Sequence, residues 1–401
     1  MTAPNGQPKD SPREPKIRAK IVSTDLIQEC GARLRQGELV AFPTETVYGL
    51  GCHALDPKAI SKVFQAKERP LTDPLIVHVT DPQQAYKLWN AEATSIEGNA
   101  LQVLIENFWP GPFTLVAKAA FHVPSIVMAN TGFVACRSPS HPVARALIDA
   151  SQVPLAAPSA NKFGHVSPTR ARHVWDDLML EDVWIIETEP KASGYESDDF
   201  STTCQVGVES TVAKVEMIQP SAGRVTLLRQ GAISVTDIEA CLDRAGLASQ
   251  FSVESLTKKT TDDHVATVAP GQTVRHYSPN IPSFILAQSR YMMAQEITHG
   301  DQLFLSKSVL IDFGGKLATW KDFSVAYRDL SLAGDSSEAA KSLFDTLRWA
   351  ERVDGANQIL FPELPDNVVD GCDALTLALK DRLTRAASGI VLDVLCSDQI
   401  A

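Results

Sequence analysis

The sequence predicts a protein with two α/β domains. Its 401 residues exceed the usual length of one domain, so two hydrophobic cores are expected. From about residue 23 to about residue 234, apolar strand-like runs alternate with helical patterns. This alternation is typical of an α/β domain, and strands of mixed direction are expected in its sheet. A polar stretch without periodicity separates this region from a second, shorter α/β alternation.

The chain divides into four predicted segments. Its start is rich in Pro and charged residues and contains no apolar signal segment, so we expect a disordered tail. The segments are a tail at 1–20, a first domain at 21–245, a linker at 246–282 and a second domain at 283–401.

The first domain is predicted to open with a buried strand followed by a helix. The apolar run "ELVAF" ends at Pro43, because proline cannot donate a hydrogen bond to a strand ladder. Asp56 and Pro57 then form a standard start signal for a helix. The later elements are the strand "PLIVHV", the helix "PQQAYKLW", the strands "WPGPFTLVAKA" and "FVACR", the helix "PVARALIDA", and the strands "VPLAAP", "DVWIIE", "ESTVAKVEM" and "RVTLLRQG".

The second domain follows a short helix from Val235 and the polar stretch 256–282, which is predicted to be a linker. The long polar loop at 189–207 in the first domain is predicted to be mobile. The elements predicted for the second domain are the strands "SFILA" and "SVLIDFG", the helix "SEAAKSLFDTLRWAERVDG", the strand "QILFPEL" and the helix "ALTLALKDRLTRAA".

Composition excludes several classes of protein. A content of 44% hydrophobic and 21% charged residues is that of a globular protein, and no apolar run approaches the length of a membrane helix. The seven cysteines contain no CxxC pair, which argues against a zinc site and favours a reducing, cytoplasmic location. The net charge of −11 implies that any polyanion is met by a local basic cluster rather than by the whole molecule.

Cationic side chains at the ends of strands and helices indicate a site for anions. The chain has neither a GxxxxGK[ST] nor a GxGxxG motif, so a P-loop or dinucleotide site is not supported. If the strand ends meet at one edge of the sheet, these groups line one cleft suited to phosphate or carboxylate oxygens. The alternative is that each Arg is a solvated surface charge. The cations are Lys67, Arg69, Arg137 and Arg229, and the hydroxyls at equivalent places are those of Thr44, Thr46, Ser159, Ser167, Ser210 and Thr211.

The sequence shows no nucleophile paired with a base. His78, inside "PLIVHV", is either a core histidine or a site residue. Cys136, beside Arg137, is either an activated thiol or a buried, inert one. A cationic site without a nucleophile suits direct displacement at phosphorus, where positioning and charge neutralisation do most of the work.

Seven ordered motifs resemble those of the L-threonylcarbamoyl-adenylate synthases. Two further segments, "HYSPNIP" and "DALTLALKDRLTRAAS", resemble the linker and second domain of the long form of this family. The resemblance implies an N-terminal domain with a mixed, twisted sheet and an open basic cleft, and a smaller Rossmann-like C-terminal domain. The seven motifs are "FPTETVYGLG", "KERPLTDPLIVHV", "WPGPFTLV", "CRSPSHPVA", "APSANKFGHVSPT", "GVESTV" and "LLRQG".

The resemblance also implies a reaction. L-Threonine, bicarbonate and ATP would give threonylcarbamoyl-adenylate, diphosphate and water, which is the first step in threonylcarbamoylation of the adenosine beside the tRNA anticodon. Threonine carbamate would attack the α-phosphorus in line, which needs no enzyme nucleophile. Mg²⁺ is expected to bind with ATP, without a dedicated protein site. Product would pass to proteins that transfer the threonylcarbamoyl group to tRNA, no membrane is involved, and direct contact with tRNA is left open.

The site residues carried over by resemblance form two groups. Lys67 and Arg69 are the predicted catalytic residues. The predicted nucleotide side consists of Lys67, Arg69, Asp73, Phe133, Ser159, Ser167, Arg229 and Tyr277, and the predicted threonine side of Thr46, His78, Arg137, Ala157 and Ser210.

Two features depart from the family pattern. Many members have Asn where this chain has Asp73, a carboxylate that would either repel phosphate or hold an Arg. The loop at 189–207 is unusually long.

The linker around Tyr277 is predicted to act as a lid over the cleft, the alternative being that Tyr277 packs the linker onto the second domain. Two other functions stay open at this stage. They are a carbamoyl-adenylate-forming maturation factor and a non-catalytic RNA-binding module.

Overall fold

The computed structural model describes residues 16–188, 204–256, 267–269, 277–292, 297–365 and 373–393. Predictions for the tail at 1–15, for most of the loop at 189–207 and for the linker residues 270–276 therefore concern parts outside the described residues.

The first domain contains strands and helices in alternation, as predicted. Its strands are β1 (Lys20–Ser23), β2 (Leu39–Phe42), β3 (Gly49–His53), β4 (Ile76–His78), β5 (Phe113–Lys118), β6 (Phe133–Arg137), β7 (Leu155–Ala156), β8 (Val183–Glu187), β9 (Thr211–Gln219), β10 (Ala222–Arg229) and β11 (Phe251–Ser255). Its helices are α1 (Ile27–Arg35), α2 (Pro57–Lys67), α3 (Pro82–Leu88), α4 (Ile96–Phe108), α5 (Pro142–Ser151), α6 (Ala171–Leu178) and α7 (Val235–Arg244).

These strands form one mixed sheet in the order β1-β8-β2-β3-β7-β4-β6-β5-β9-β10-β11. Strands β2 and β8 pair in parallel, as do β4 and β6, whereas β2 and β3, β5 and β6, and β9 and β10 pair antiparallel. The prediction of mixed strand direction is confirmed. Helix α2 begins as predicted, with Pro57 in the first turn and the Asp56 side chain accepting from the backbone N–H of Lys58.

Three helices of the first domain, α1, α4 and α6, and the strands β1 and β3 are absent from the sequence prediction. The sequence pattern predicts that residues 251–255 belong to the linker. This prediction is wrong, because the segment forms β11 at the edge of the first sheet. Gly223 on β10 makes this pairing possible, since a Cβ atom there would lie 2.2 Å from the Phe251 ring. A close approach between residues 28 positions apart leaves no local pattern in the sequence.

The second domain is a parallel sheet with helices, as the Rossmann-like prediction requires. Its strands run in the order β14-β13-β15-β12-β16, and each described pairing is parallel. Helices α8 and α9 and strands β14 and β16 were not predicted. The strands are β12 (Ser283–Leu286), β13 (Ser308–Asp312), β14 (Ala326–Asp329), β15 (Gln358–Pro362) and β16 (Val391–Leu392), and the helices are α8 (Gln288–Met292), α9 (His299–Leu305), α10 (Ser336–Ala350) and α11 (Ala374–Ala386).

The two domains share an apolar cluster. Val47, Val166 and Val208 of the first domain and Tyr277 of the linker pack in the same buried cluster as residues of α10, including Phe344. The contact therefore resembles a domain core rather than a wet, mobile interface. No helix in the described parts of the chain is long and apolar enough to cross a membrane.

Candidate active site

A cavity of about 50 Å³ lies where several strands of the first sheet end. Thr44 follows the end of β2, and His78, Arg137 and Arg229 are the last residues of β4, β6 and β10. Most of the cations and hydroxyls that the sequence places at strand and helix ends therefore meet in one region, but Lys67, Ser167 and Thr211 do not line it. The cavity is lined by Thr44, Thr46, Val47, Gly49, Arg69, Ile76, His78, Arg137, Ala157, Pro158, Ser159, Glu209, Ser210, Arg229 and Tyr277.

One wall is the polar turn after β2. The Thr44 hydroxyl donates to the Val47 carbonyl oxygen at 2.7 Å, and the Thr44 and Thr46 oxygens are 2.8 Å apart. Arg137 Nη1 donates to Thr46 Oγ1 at 2.9 Å. Since the Thr44 proton is already used, Thr46 donates to Thr44 and accepts from Arg137. This chain of bonds fixes the Thr46 side chain at the cavity wall.

Arg137 is also paired with Glu45. Its Nη2 lies 2.6 Å from Glu45 Oε1, and both side chains are buried. Burial alone would raise the pKa of Glu45, but the charge and hydrogen bonding of Arg137 hold it below its ordinary value. The pair keeps the Arg137 charge in place beneath the cavity.

Arg69 is held by the polypeptide on three sides. Its Nε donates to the Asp73 carbonyl at 3.1 Å, and its Nη2 donates to the Pro74 carbonyl and pairs with the Asp73 carboxylate, both at 2.9 Å. Burial raises the pKa of Asp73, and Arg69 opposes that effect. Of the two roles considered for Asp73, the structure therefore places it as the partner of an Arg.

Arg229 differs from the other two arginines of the cavity. Its Nε and Nη2 donate to the Ser210 carbonyl oxygen and hydroxyl, each at 3.0 Å, and Ser210 in turn bonds Thr114 at 2.7 Å. Within the described residues, no carboxylate lies within 4.0 Å of the Arg229 guanidinium, which is 7% exposed. Arg229 can therefore pair with an anionic ligand without first giving up a carboxylate partner.

His78 lines the cavity as a neutral imidazole. Burial and the neighbouring Arg137 lower its pKa to about 3. It therefore offers a polar contact at neutral pH rather than a charge. Cys136, on the same strand as Arg137, is fully buried, and burial raises the pKa of its thiol, so it is the inert thiol of the two alternatives.

Four predicted nucleotide residues do not line the cavity. Lys67 Nζ donates to the carbonyl oxygens of Ser159, at 2.6 Å, and Asn161, and burial lowers the Lys67 pKa well below its ordinary value. The Lys214 ammonium lies 3.9 Å from the centre of the Phe133 ring. The Ser167 hydroxyl donates to the Glu209 carboxylate at 2.5 Å. Asp73 is the fourth. Lys67 thus holds the backbone beside Ser159.

Tyr277 contacts both the cavity and the second domain. It lines the cavity, and its ring packs against Phe344 of α10 with centroids 5.5 Å apart. Its backbone adopts φ of 63°, in the left-handed region. Gln272–His276 of the predicted lid lie outside the described residues, so lid closure stays a prediction.

Two charged residues at this site, Glu209 and Arg382, were not predicted. Glu209 sits in the motif "GVEST" next to Ser210, and Arg382 is completely buried although it belongs to α11 of the second domain. A signal for Arg382 exists, because it precedes Leu383 and follows Leu379 by three positions on the apolar face of a helix. Among the described residues, no group of three or more His, Cys, Asp or Glu is placed to hold a metal ion.

The mixed sheet brings buried arginines and hydroxyls together at its strand ends. The described residues include no activated nucleophile. These features define the class of the protein, which is an enzyme that binds anionic substrates and relies on charge and positioning. A family model described as "Telomere recombination", for Sua5, YciO and YrdC proteins, matches residues 32–231. Another, described as "Threonylcarbamoyl-AMP synthase, C-terminal domain", matches residues 233–388.

Relatives cover nearly the whole chain. The threonylcarbamoyl-AMP synthase of Pyrococcus abyssi is 33% identical over 362 residues, which are 90% of this chain and 94% of the relative. That of Bacillus subtilis is 33% identical over 371 residues, 91% of this chain and 94% of the relative. The crystal structure of P. abyssi Sua5 complexed with L-threonine has a TM-score of 0.74 at 29% identity, and covers 94% of this chain and 99% of that one. The chain belongs to the threonylcarbamoyl-AMP synthase family and is an enzyme of the nucleotidyltransferase class.

Proposed function

We propose that the cavity at the strand ends is the site where this chain converts L-threonine, bicarbonate and ATP into threonylcarbamoyl-AMP, diphosphate and water. The observation that carries the proposal is Arg229, a buried guanidinium with no carboxylate within 4.0 Å among the described residues. Phosphate oxygens of ATP supply the missing negative charge. Arg69 lies in the same wall and adds a second cation.

The threonine side of the proposal rests on the wall formed by Thr46, His78, Arg137 and Ser210. A neutral imidazole and two hydroxyls can hydrogen-bond the substrate hydroxyl, while Arg137 attracts its carboxylate or the carbamate. The P. abyssi relative with L-threonine bound supports this assignment by its likeness to the chain.

In the proposed mechanism the amine of threonine takes up the carbon of bicarbonate with loss of water. A carbamate oxygen then bonds to the α-phosphorus as the bond to the diphosphate oxygen breaks, and diphosphate leaves with that electron pair. The arginines hold the reacting groups in line and neutralise charge that develops on phosphorus. Mg²⁺ would enter with ATP and neutralise phosphate charge. Among the described residues no group of three or more His, Cys, Asp or Glu is placed to hold it, and we propose that it binds together with the phosphates.

Tyr277 belongs to the wall of the cavity, so in our proposal a movement of the linker at Tyr277 opens the site to ATP, in keeping with the predicted lid. Threonylcarbamoyl-AMP then passes to the enzymes that transfer its acyl group to tRNA. An RNA-binding module is less well supported, because the arginines at this site are at most 7% exposed and cannot form a surface for a nucleic acid backbone.

The test is diphosphate release measured with purified protein and ATP, with threonine and bicarbonate each omitted in turn. We expect release only when both are present. Serine should replace threonine poorly and valine should fail more completely, because a pocket that hydrogen-bonds a hydroxyl discriminates strongly against an analogue without one. Equal release with valine and threonine, or release without bicarbonate, contradicts the proposal.

A further inference from the structure

The second domain contributes a buried arginine, Arg382, that contacts two residues of the cavity wall, Glu209 and Tyr277. The Arg382 side chain, on α11, is 0% exposed. Its Nε donates to Glu209 Oε2 at 3.0 Å, and its Nη1 donates to the Gln230 carbonyl oxygen at 2.8 Å and to Asp381 at 3.2 Å. Its guanidinium also lies 5.3 Å from the centre of the Tyr277 ring. One side chain therefore supports two residues of the cavity wall, and it also holds the backbone at Gln230.

Glu209 lines the cavity and directly precedes Ser210, the residue that Arg229 contacts. Its other oxygen accepts the Ser167 hydroxyl at 2.5 Å, so each oxygen has a defined partner. Its neighbour Ser210 accepts two hydrogen bonds from Arg229. Burial lowers the pKa of Arg229, whereas Tyr277 and Glu209 raise it, so the Glu209 charge is felt at Arg229.

These contacts flank Arg229 on both sides. Arg382 holds Glu209, which precedes Ser210, and it also holds the carbonyl of Gln230, which follows Arg229. Without Arg382, the buried Glu209 carboxylate would keep only the Ser167 hydroxyl among the partners named here, and Arg229 is a cation of the same cavity wall whose pKa its charge already raises. A carboxylate paired with Arg229 would occupy the place that the phosphate needs.

We infer that Arg382 is a positioning residue of the second domain that holds the Glu209 carboxylate away from Arg229 and so keeps Arg229 available for a nucleotide phosphate. This inference rests on the proposed function. It gives the second domain a part in substrate binding that the first domain alone lacks.

The competing explanation is that Arg382 only joins the domains. The interface contains other ion pairs that serve as a comparison. Asp345 on α10 contacts Arg170, at 2.9 Å, and His173 of the first domain, and neither of these residues lines the cavity. Asp345→Asn therefore removes a cross-domain ion pair without touching the cavity wall.

The experiment compares Arg382→Met, the double variant Arg382→Met/Glu209→Gln and the control Asp345→Asn. For each we would measure KM for ATP, KM for threonine and kcat in diphosphate release, ATP dissociation by calorimetry, and unfolding by urea. In Arg382→Met we expect KM for ATP to rise about tenfold or more, because the released carboxylate competes for Arg229, with KM for threonine changing less than about twofold. In the double variant that competing charge is gone, and most of the lost ATP affinity returns.

The outcomes separate the two explanations. A role only in joining the domains predicts that the double variant is as impaired as the single one, or that Arg382→Met lowers stability and leaves KM for ATP unchanged, as Asp345→Asn is expected to do. Either result overturns the inference. If Arg382→Met does not fold, Arg382→Lys takes its place, since lysine keeps the charge but not the fork that spans Glu209 and Gln230, and a smaller rise in KM for ATP is expected. If wild-type protein releases no diphosphate, the proposed function fails, whereas ATP calorimetry still decides the role of Arg382.

Discussion

At the scale of single residues, the three cavity arginines divide by their partners. Arg69 and Arg137 pair with the buried carboxylates of Asp73 and Glu45 at 2.9 and 2.6 Å. Arg229 is bonded only to the hydroxyl and carbonyl of Ser210 in the contacts described. Loss of Arg69 or Arg137 would leave a buried, unpaired carboxylate and destabilise the fold by about 3–5 kcal/mol. Of the three arginines, Arg229 is therefore the one whose substitution should weaken substrate binding without greatly destabilising the fold.

We predict that Arg229→Met lowers kcat/KM for ATP by about 100-fold or more, because a charge-assisted contact to phosphate in a partly dry site is lost. The free energy of unfolding should change by only about 1 kcal/mol, since Ser210 keeps its bond to Thr114. The matched control is Arg224→Met on the same strand, where Arg224 pairs with Glu216 and Glu254. Wild-type turnover in Arg229→Met, measured as diphosphate release, would remove Arg229 from the nucleotide site.

At the scale of secondary structure elements, the site depends on how closely two strand ends approach. Gly231 follows β10, and a Cβ atom there would lie 2.3 Å from the backbone nitrogen of Thr211 and 2.8 Å from the carbonyl carbon of Ser210. The contacts are with backbone and cannot be relieved by a side-chain rotation. Because Arg229 reaches Ser210 across this same gap, the glycine sets the distance between the ends of β9 and β10.

Gly231→Ala is therefore expected to destabilise the protein by about 1–3 kcal/mol and to reduce diphosphate release. The control is Gly300→Ala on α9, where a Cβ atom would meet only Thr298 Oγ1 at 3.7 Å and where Ala favours the helix. Urea unfolding and turnover of the two variants give the comparison. Equal stability of Gly231→Ala and wild type would contradict the close approach of the two strands.

The elements show what a sequence can and cannot predict here. Strand ends carrying Thr46, Arg137 and Arg229 were predictable, because apolar runs that end in polar residues have a local pattern and strand ends meet at a sheet edge. The helix α4 had a readable signal, since its buried positions 98, 101, 104 and 105 follow helical spacing, but it was not predicted. Lys67 and Ser167 have the expected residue types, yet their polar atoms are used by protein partners.

The pairing of Glu209 with Arg382 joins residues 173 positions apart. No local periodicity encodes such a contact, because it exists only after the two domains have packed. The same holds for the pairing of β11 with β10. Long-range partners of this kind have no signal in the local sequence.

At the scale of the whole molecule, a charged cluster joins the two domains around His165. Its Nδ1 lies 2.9 Å from Asp177 of α6, and its Nε2 lies 3.2 Å from Glu351, just past α10. Arg348 of α10 binds the same Asp177 carboxylate through two nitrogens, each at 3.0 Å. Burial lowers the pKa of His165, but its hydrogen bonds to Asp177 and Glu351 outweigh burial and raise it above its ordinary value.

This arrangement predicts a pH dependence of stability. A histidine whose pKa is raised on folding stabilises the protein fully below its unfolded pKa, and that stabilisation is lost as the pH rises through the folded value. We expect the free energy of unfolding to fall as the pH rises above the ordinary histidine pKa of about 6.5, and this fall should be smaller in His165→Gln. The acidic partners act in the opposite direction, since the pKa values of Asp177 and Glu351 are lowered and their contribution disappears in acid.

The measurement is urea unfolding of wild type, His165→Gln and the exposed-histidine control His122→Gln across this pH range. The His122 variant should follow the wild type. An identical pH dependence in His165→Gln would contradict the assignment of the cluster.

The location of the arginines inside the molecule has a consequence for the rate at which substrate arrives. The chain carries a net charge of −11, while the cations of the site are at most 7% exposed, so an approaching ATP meets a negative exterior before it meets Arg229. Long-range forces then oppose the encounter, and added salt should relieve them as the Debye length shrinks from about 30 Å at 0.01 M to about 10 Å at 0.1 M. The association rate of ATP in stopped-flow experiments is therefore expected to increase with ionic strength over this range, the reverse of electrostatic steering, and a decrease would reveal a basic entrance.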